Sequence, residues 1–267
     1  MPVIESIVAD WPAPAHVHTL CTTRGGLGAS APPYDRLNLG DHVGDDAQAV
    51  AVNRQQLARV LGARPVFLRQ VHGTQVVRLH ADTPDSTQAD GCLTTAPGLA
   101  CTIMVADCLP VLLTDAAGTV VAAAHAGWRS LAGQPQPQMG VLERLVQDMR
   151  AVLGEHAGAQ AQAAPLLAWL GPCIGPAVFE VGSEVRAAFM DFDARAKACF
   201  APHKPGKWLA DLPALARQRL GALGVAHVSG NDGSASWCTA SDRQRYFSHR
   251  RDGVTGRMAA CIWLTRA

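Results

Sequence analysis

Apolar runs separated by short polar breaks fill the middle of the chain and predict a series of buried strands. Residues 99–128 contain three such runs, with a polar break at 107–110 and a turn at 115–118. Short apolar runs bounded by turn residues are typical of strands inside a sheet. Side chains that can bind metals accompany these runs, because Cys108 follows the first run and His125 lies near the end of the third.

Similar patterns predict the elements of the remaining chain. Further strands are expected at 16–23, 66–72, 74–79, 166–170, 225–228 and 259–264. Apolar positions at helical spacing beside capping residues predict helices at 47–61 after Asp46, at 139–153 before Gly154, after a Ser183 cap, and from Asp211 onwards. The first helix is predicted to bury one face, formed by Val50, Leu57, Val60 and Leu61. Segments rich in Pro, Gln or Ala predict an exposed excursion at 134–138 and a linker at 156–164.

Strands and helices alternate without a strict βαβ order. The predicted fold class is therefore α/β, or α+β, with a layered mixed sheet. The 267 residues are 48% hydrophobic, which is enough to bury a sizeable core, so residues 1–267 are expected to form a single domain.

Charge and cysteine content narrow the class of function. The formal net charge is +1, so we expect no nucleic-acid partner. The N-terminal segment does not resemble a secretory signal, and no apolar run reaches the ~18 residues of a membrane helix. The eight cysteines include no CxxC pair, which is typical of reduced thiols. A soluble, cytoplasmic protein without a membrane partner is expected.

Three side chains at predicted strand ends form a candidate zinc site: His72, Cys108 and His125. A catalytic zinc site has three nitrogen, sulfur or oxygen ligands from the protein and one open position. Copper is a rival, because two histidines, a cysteine and a distant methionine form the blue-copper set, yet a strand would place Met104 about 13 Å from Cys108 at ~3.3 Å per residue. Without a metal, Cys108 could be a nucleophile activated by either histidine.

A cluster of arginines near the C-terminus predicts an anion-binding loop. Five arginines fall within residues 243–257, among hydroxyl side chains, glycines and His249. Guanidinium groups match phosphate and carboxylate oxygens, so this loop could bind an anionic substrate, or it could be a solvated loop with acidic partners. The glycine-rich turn at 24–28 is a weaker candidate, because it lacks the spacing of a phosphate-binding loop.

Five segments together resemble the YfiH family, also called the laccase-domain or polyphenol-oxidase family. They are RQVHGTQVV around His72, ADCLPVLLTD around Cys108, AAAHAGWRS around His125, LGPCIGPAVFEVG at 170–182 and YFSHRRDGVTGRMAACIWL at 246–264. With TTRGGLG and YDRLNLGDHVGDD upstream, the resemblance covers nearly the whole chain. It implies a layered α/β fold, grouped with cytotoxic-necrotizing-factor-like cysteine hydrolases.

The resemblance also implies a zinc centre at His72, Cys108 and His125 and chemistry on purine nucleosides. The implied reactions are phosphorolysis of adenosine, inosine, guanosine and methylthioadenosine, together with deamination of adenosine. Other descriptions of the family imply a copper-dependent phenol oxidase or a hydrolase that edits peptidoglycan precursors. A nucleotide-binding protein with a structural metal is the non-enzymatic alternative.

On the purine interpretation, the expected partners are a purine nucleoside and phosphate. Catalytic roles would fall to the ligand Cys108 and to two carboxylates that move protons, Asp107 and Glu180. The candidate substrate-binding residues are Asn38, His42, Arg129, Arg250 and Arg251. Family members usually have glycine where this chain has Ser130, and 134–138 looks like an insertion. Both departures are expected to alter access to the site.

Overall fold

The computed structural model describes residues 4–135, 138–157 and 162–266. The strands, numbered in chain order, are β1 (Ser6–Ile7), β2 (Val17–Thr22), β3 (Arg64–Phe67), β4 (Val76–Arg78), β5 (Gly91–Thr94), β6 (Leu99–Val105), β7 (Leu109–Asp115), β8 (Val121–Ala126), β9 (Gln134–Pro135), β10 (Gln138–Met139), β11 (Leu166–Leu170), β12 (Glu180–Gly182), β13 (Phe200–Lys204), β14 (Lys207–Ala210), β15 (His227–Gly230) and β16 (Met258–Leu264). The α-helices are α1 (Ala47–Leu61), α2 (Trp128–Ala132), α3 (Val141–Ala157), α4 (Ser183–Met190), α5 (Leu212–Ala222) and α6 (His249–Asp252). Short 3₁₀ helices lie at Ala194–Cys199 and Ala235–Trp237.

Two large mixed sheets form the centre of the protein. The first has the strand order β1-β2-β16-β6-β3, and β3 runs parallel to β6. The second has the order β15-β11-β7-β8-β5-β4, with parallel pairs at its two edges. A three-stranded sheet, β12-β14-β13, and the hairpin of β9 and β10 are separate from them. The mixed α/β fold predicted from the sequence is confirmed.

The two large sheets pack face to face, and helices cover their outer faces. Because side chains alternate along a strand, neighbours in β6 belong to different layers. Ile103 joins an apolar cluster with Leu112 of the second sheet, whereas Met104 packs in a cluster with Leu57 of α1. On the far side of the second sheet, Leu113 belongs to the cluster that contains the buried face of α3. The layers are therefore helix, sheet, sheet and helix.

The strands predicted within residues 99–128 are all present, but they belong to different sheets. β6 is a central strand of the first sheet, while β7 and β8 are adjacent antiparallel strands of the second. The polar break after β6 is therefore the point where the chain crosses from one sheet to the other. Cys108 lies in this crossing.

Several predicted boundaries were wrong. α3 continues through Gly154 to its end at 157, so the glycine does not stop the helix. Ser183 is the first residue of α4 rather than its cap. In α1, Val60 is 49% exposed, and the buried face contains Asn53 instead. The Asn53 amide is buried because it donates to the backbone carbonyl of Asn38 in a neighbouring loop.

Two predicted loops lie partly outside the described residues. In the excursion at 134–138, β9 and β10 pair as antiparallel strands, and residues 136–137 are not described. α3 extends into the linker predicted at 156–164, of which residues 158–161 are not described. Over the ranges given above, no helix combines the length and apolar character needed to cross a membrane.

The turn between β7 and β8 depends on the side chain of Asp115. Its buried carboxylate accepts hydrogen bonds from the backbone N–H groups of Ala117, Thr119 and Val120, at 3.1, 2.7 and 2.8 Å. Asp115→Ala is expected to lower the free energy of unfolding by about 3 kcal/mol, because buried donors lose a charged acceptor. Urea denaturation measures this change. Asp82→Ala, at an exposed aspartate, is the control, and a loss of similar size there would contradict the explanation.

Candidate metal centre

The three candidate ligands lie close together at one end of the central strands of the two large sheets. Cys108 lies in the crossing from β6 to β7, and His125 of β8 is paired with Pro110 of β7. His72 was predicted at a strand end, but β3 stops earlier and His72 lies in the loop that follows. Strand order therefore brings together side chains that are far apart in the sequence.

The donor atoms of His72, Cys108 and His125 lie within 4.8 Å of one another. Cys108 Sγ and His72 Nε2 are 3.8 Å apart. Neighbouring ligand atoms around a tetrahedral zinc ion are about 3.5 Å apart, given Zn–S and Zn–N bonds of ~2.3 and ~2.0 Å. The three donors fit this requirement with small movements. Among the described residues, this is the group of His, Cys, Asp or Glu that could hold a metal ion.

The electrostatics of the group favour a thiolate at Cys108. Burial alone would raise the pKa of this thiol, but the neighbouring imidazoles of His125 and His72 lower it to about 6. Burial would likewise lower the pKa of His125, yet Cys108 and the carboxylate of Asp90 raise it to about 9. A thiolate beside two imidazoles can serve as a metal-ligand set, or as an activated nucleophile if no metal is bound.

Two residues at the centre have a left-handed backbone. The φ angle is 59° at His72 and 91° at Asp107, which directly precedes Cys108. Such angles are uncommon outside glycine and are concentrated at functional sites, where surrounding contacts hold them. The carboxylate of Asp107 accepts hydrogen bonds of 2.6 Å from Thr239 Oγ1 and from the backbone N–H of Arg250. It thereby joins the crossing segment to the C-terminal loop.

The ligand group lines a cleft of about 460 Å³. Apolar side chains on its wall are those of Met104, Trp128, Ile174 and Phe179. Cationic or imidazole side chains on its wall, besides the two ligands, are those of His42, Arg129, His249, Arg250 and Arg257. The cleft thus combines an apolar surface with an excess of positive charge.

Four of the five arginines of the C-terminal loop fall into two groups, and the fifth, Arg245, stacks on the ring of Tyr246. Arg243 and Arg251 both form ion pairs with Asp252, at 3.0 and 2.7 Å. Arg250 and Arg257 line the cleft, and within the described ranges neither forms an ion pair with a carboxylate. Burial lowers the pKa of Arg257, an effect that the nearby Cys108 and Asp107 side chains oppose. Of these four arginines, the two without a carboxylate partner are therefore the ones that line the cleft beside the candidate metal centre.

Three predicted site residues do not line the cleft. Asn38 is fully buried, and its amide bonds to the backbone of Gly40 and Arg257 and to Asp45, so it shapes the loop instead of meeting a substrate. The guanidinium of Arg251 is held by Asp252 and by backbone carbonyls.

Glu180 lies outside the cleft as well, although its backbone carbonyl accepts a hydrogen bond from Arg250. Its carboxylate is turned to Lys204 and His203, at 3.1 and 3.3 Å. The hydrogen bond from Lys204 lowers the pKa of Glu180, whereas a proton donor needs a raised pKa. In this structure the carboxylate of Glu180 therefore points away from the cleft, and its catalytic role stays a prediction.

The other predicted residues are at or beside the cleft. Asp107, His42, Arg129 and Arg250 line it, with the Arg129 guanidinium 4.4 Å from the centre of the Trp128 ring. Ser130 is buried in α2. Met104 also lines the cleft, but its sulfur is 3.8 Å from Arg54 Nη2.

Sequence reasoning missed Asp90 and Gln70, and it named His249 only as a member of the anion-binding loop. Asp90 is fully buried and bonded to His125 Nδ1 at 2.9 Å. Gln70 pairs its amide with both backbone groups of Met104, at 2.8 Å each. His249 lines the cleft with Nδ1 donating to the carbonyl of Gly253 at 2.7 Å. The only sequence signal for Asp90 is an aspartate next to an apolar run, which Asp115 shares.

The glycine-rich turn at 24–28 belongs to a different cavity, of about 760 Å³. Arg24 there forms an ion pair with Asp35 at 3.2 Å. This turn is therefore not part of the candidate metal centre.

Comparisons with known proteins agree on one family. A family model described as multi-copper polyphenol oxidoreductase laccase matches residues 18–265. A purine nucleoside phosphorylase of Pseudomonas aeruginosa is 49% identical over 97% of this chain and 98% of its own length. The purine nucleoside phosphorylase YfiH of Escherichia coli is 48% identical over the same shares. The crystal structure of Neisseria meningitidis protein NMB0706 has a TM-score of 0.87 and 44% identity, covering 98% of this chain and 100% of that chain.

Proposed function

Because this chain belongs to the laccase-like YfiH family, we propose that it is a zinc-dependent purine nucleoside phosphorylase that also deaminates adenosine. The proposed nucleosides are adenosine, inosine, guanosine and methylthioadenosine, with phosphate as the second substrate. The observation that carries the proposal is the cleft itself, in which a His-Cys-His group lies beside arginines without carboxylate partners. Relatives at up to 49% identity that are named purine nucleoside phosphorylase support it.

The unpaired arginines give the cleft a place for phosphate. Among the described residues, the guanidinium of Arg257 donates only to the backbone carbonyls of Thr255 and Gly256, and it lies beside the centre. A partly buried cation without an anionic partner is costly, and a bound phosphate would offset that cost through charge-assisted hydrogen bonds. Arg250 and Arg129 line the same cleft and can add donors.

In phosphorolysis, a phosphate oxygen attacks C1′ of the nucleoside while the bond from C1′ to N9 breaks. The electron pair leaves with the purine, which takes up a proton. Zinc held by His72, Cys108 and His125 would supply a Lewis acid beside the purine. The arginines orient the attacking phosphate, and the apolar wall at Phe179 and Trp128 offers surfaces for the base.

We assign the movement of the proton to Asp107. Of the two carboxylates predicted for this role, Asp107 is the one that lines the cleft. Deamination of adenosine needs water in place of phosphate and releases ammonia from C6. The two reactions differ in the attacked atom, C1′ or C6, and in the nucleophile, phosphate or water.

The family description favours one competing function, a copper-dependent oxidation of phenols. A multi-copper enzyme needs several clusters of histidine and cysteine ligands, whereas the described residues bring together a single group of three. Oxidation of a phenol by the copper-loaded protein, without turnover of adenosine by the zinc-loaded protein, would favour that function. Hydrolysis of a peptidoglycan precursor alone would favour the editing enzyme.

The experiment follows adenosine with the zinc-loaded protein, with and without inorganic phosphate, by chromatography of the products. We expect adenine and ribose 1-phosphate only when phosphate is present. Ammonia from deamination is expected in either case, with inosine accumulating without phosphate and being converted on to hypoxanthine with it. Arg257→Gln is expected to raise KM for phosphate about 10- to 100-fold, since a charge-assisted hydrogen bond contributes ~1.5–3 kcal/mol.

Arg195→Gln is the matched control, because this arginine pairs with Asp193 on the surface, outside the cleft. It is expected to leave the KM for phosphate unchanged. Release of adenine at the same rate without phosphate would rule out phosphorolysis. An Arg257→Gln variant with an unaltered KM for phosphate would place the phosphate elsewhere.

A further inference from the structure

We propose that Asp90 is the positioning residue of the metal-ligand group, because its carboxylate holds the backbone of His72 and the ring of His125 at the same time. This inference rests on the proposed metal centre and goes beyond it by assigning a role to a residue outside the ligand set. Asp90 is fully buried and lies in the loop that leads into β5.

The carboxylate of Asp90 accepts hydrogen bonds from three consecutive backbone N–H groups in the loop that contains His72. Oδ2 accepts from the N–H groups of Val71 and Gly73, at 3.1 and 2.7 Å, and Oδ1 accepts from the N–H of His72 at 2.9 Å. The chain can wrap around the carboxylate in this way because His72 adopts a left-handed φ of 59°. The hydrogen bonds offset the cost of that backbone angle, which a residue with a side chain seldom adopts.

The same carboxylate fixes the ring of His125. Oδ1 is 2.9 Å from Nδ1 of His125, and the backbone carbonyl of Asp90 accepts from the His125 N–H at 2.7 Å. A carboxylate can only accept at this contact, so Nδ1 carries a proton and Nε2 is the ring nitrogen left to bind a metal. Nε2 is then free to face Cys108 and His72. A metal-binding histidine that donates its other ring N–H to a carboxylate is the usual arrangement.

The hydrogen bonds of Asp90 explain how ligands from both sheets are held in one geometry. His72 follows a strand of the first sheet, whereas His125 belongs to the second. The two imidazole rings are 4.8 Å apart between centroids, at an angle of 68°. On the other side of the His72 loop, the amide of Gln70 is bonded to the backbone of Met104 in β6. Because Gln70 also anchors the loop, replacing Asp90 should disturb the ligands more than the fold.

Asp90→Asn is the informative change because it preserves shape and removes one acceptor. If the amide oxygen accepts from Val71 and Gly73, the amide NH₂ faces Nδ1 of His125 and also the N–H of His72, whose hydrogen bond is lost. Nδ1 must then accept, and the proton moves to Nε2, where it blocks the lone pair needed by a metal. We expect the affinity for Zn²⁺ to fall about 10- to 100-fold, measured by competition with a chromophoric chelator.

Asp115→Asn is the matched control. Asp115 is also a buried aspartate whose carboxylate accepts from three backbone N–H groups, but it has no histidine partner among the described residues. Both variants are expected to lower the urea midpoint of unfolding, and only Asp90→Asn should weaken Zn²⁺ binding. In the metal-free wild type, NMR should show a strongly deshielded imidazole N–H proton from the bond between His125 and Asp90, and Asp90→Asn should lack it.

The outcomes separate this inference from the proposed function. A wild type that binds Zn²⁺ and releases adenine, with an equally tight Asp90→Asn variant, would overturn the positioning role and leave the proposed function in place. Equal weakening by Asp115→Asn would show that loss of stability, not ligand geometry, is responsible. A wild type that binds no Zn²⁺ would refute the metal centre and the role of Asp90 together.

Discussion

Cys108→Ala is expected to bind Zn²⁺ about 10²-fold more weakly than the wild type and to lose phosphate-dependent release of adenine. Complete four-ligand zinc sites have apparent binding free energies of ~10–16 kcal/mol, or roughly 3 kcal/mol for each ligand. A loss of ~3 kcal/mol corresponds to about two orders of magnitude in affinity. Chelator competition measures the affinity, and chromatography of adenine measures the turnover.

Cys199→Ala is the control, because Cys199 is also half-buried but lies outside the cleft. A metal-free mechanism with Cys108 as nucleophile makes a different prediction. In that case, chelator-treated wild type would keep its activity while Cys108→Ala would have none. Full activity in a Cys108→Ala variant that still binds Zn²⁺ tightly would contradict both interpretations of this residue.

The metal-capable group could be predicted because its residues carry chemistry that a buried strand does not need. Two histidines and a cysteine interrupt apolar segments, and the structure brings their donor atoms within 4.8 Å. The pattern did not show that β6 and β7 lie in different sheets, because an apolar strand has the same sequence signature in either sheet. Nor did it show that His72 needs a left-handed backbone, which depends on hydrogen bonds from distant residues.

For the anion-binding loop, the sequence predicted a cluster of arginines but not which of them would line a site. Its arginines look alike in the sequence, and their roles depend on which of them Asp252 neutralises. Asp252 pairs with Arg243 and Arg251, and Arg250 and Arg257 line the cleft. Neighbours in the sequence therefore have opposite roles, because one turn of α6 directs successive side chains to different sides.

A polar side chain can bind a substrate or form hydrogen bonds that fix a loop. The sequence does not distinguish these two roles. Asn38 has an amide that would suit a nucleoside, yet its oxygen and nitrogen are both bonded within the protein. The sequence around Asp90 does not indicate its role, although this residue contacts both histidine segments. Contacts over such sequence separations, 18 and 35 residues, leave no local pattern.

Gly127→Ala is expected to lower turnover of adenosine about 10²-fold, the effect typical of a ~1 Å misplacement at a catalytic site. A Cβ at this position would lie 2.8 Å from Cys108 Sγ and 3.2 Å from His72 Cδ2. The backbone at Gly127 has φ −64° and ψ 160°, which alanine adopts without strain. The methyl group therefore acts on the two ligands and not on the chain path. Zn²⁺ affinity and turnover, measured on the same preparation, test this expectation.

Gly221→Ala is the matched control for that substitution. Residue 221 lies in the last turn of α5, and a Cβ there would meet nothing within 4 Å. Alanine in a helix is expected to raise the free energy of unfolding by ~0.5 kcal/mol and to leave Zn²⁺ affinity unchanged. If Gly127→Ala instead bound Zn²⁺ as tightly as the wild type, Cys108 and His72 could separate without losing the metal. Zn²⁺ affinity would then depend only on which residues are the ligands. The absence of a side chain at 127, beside Cys108 and His72, would need a different explanation.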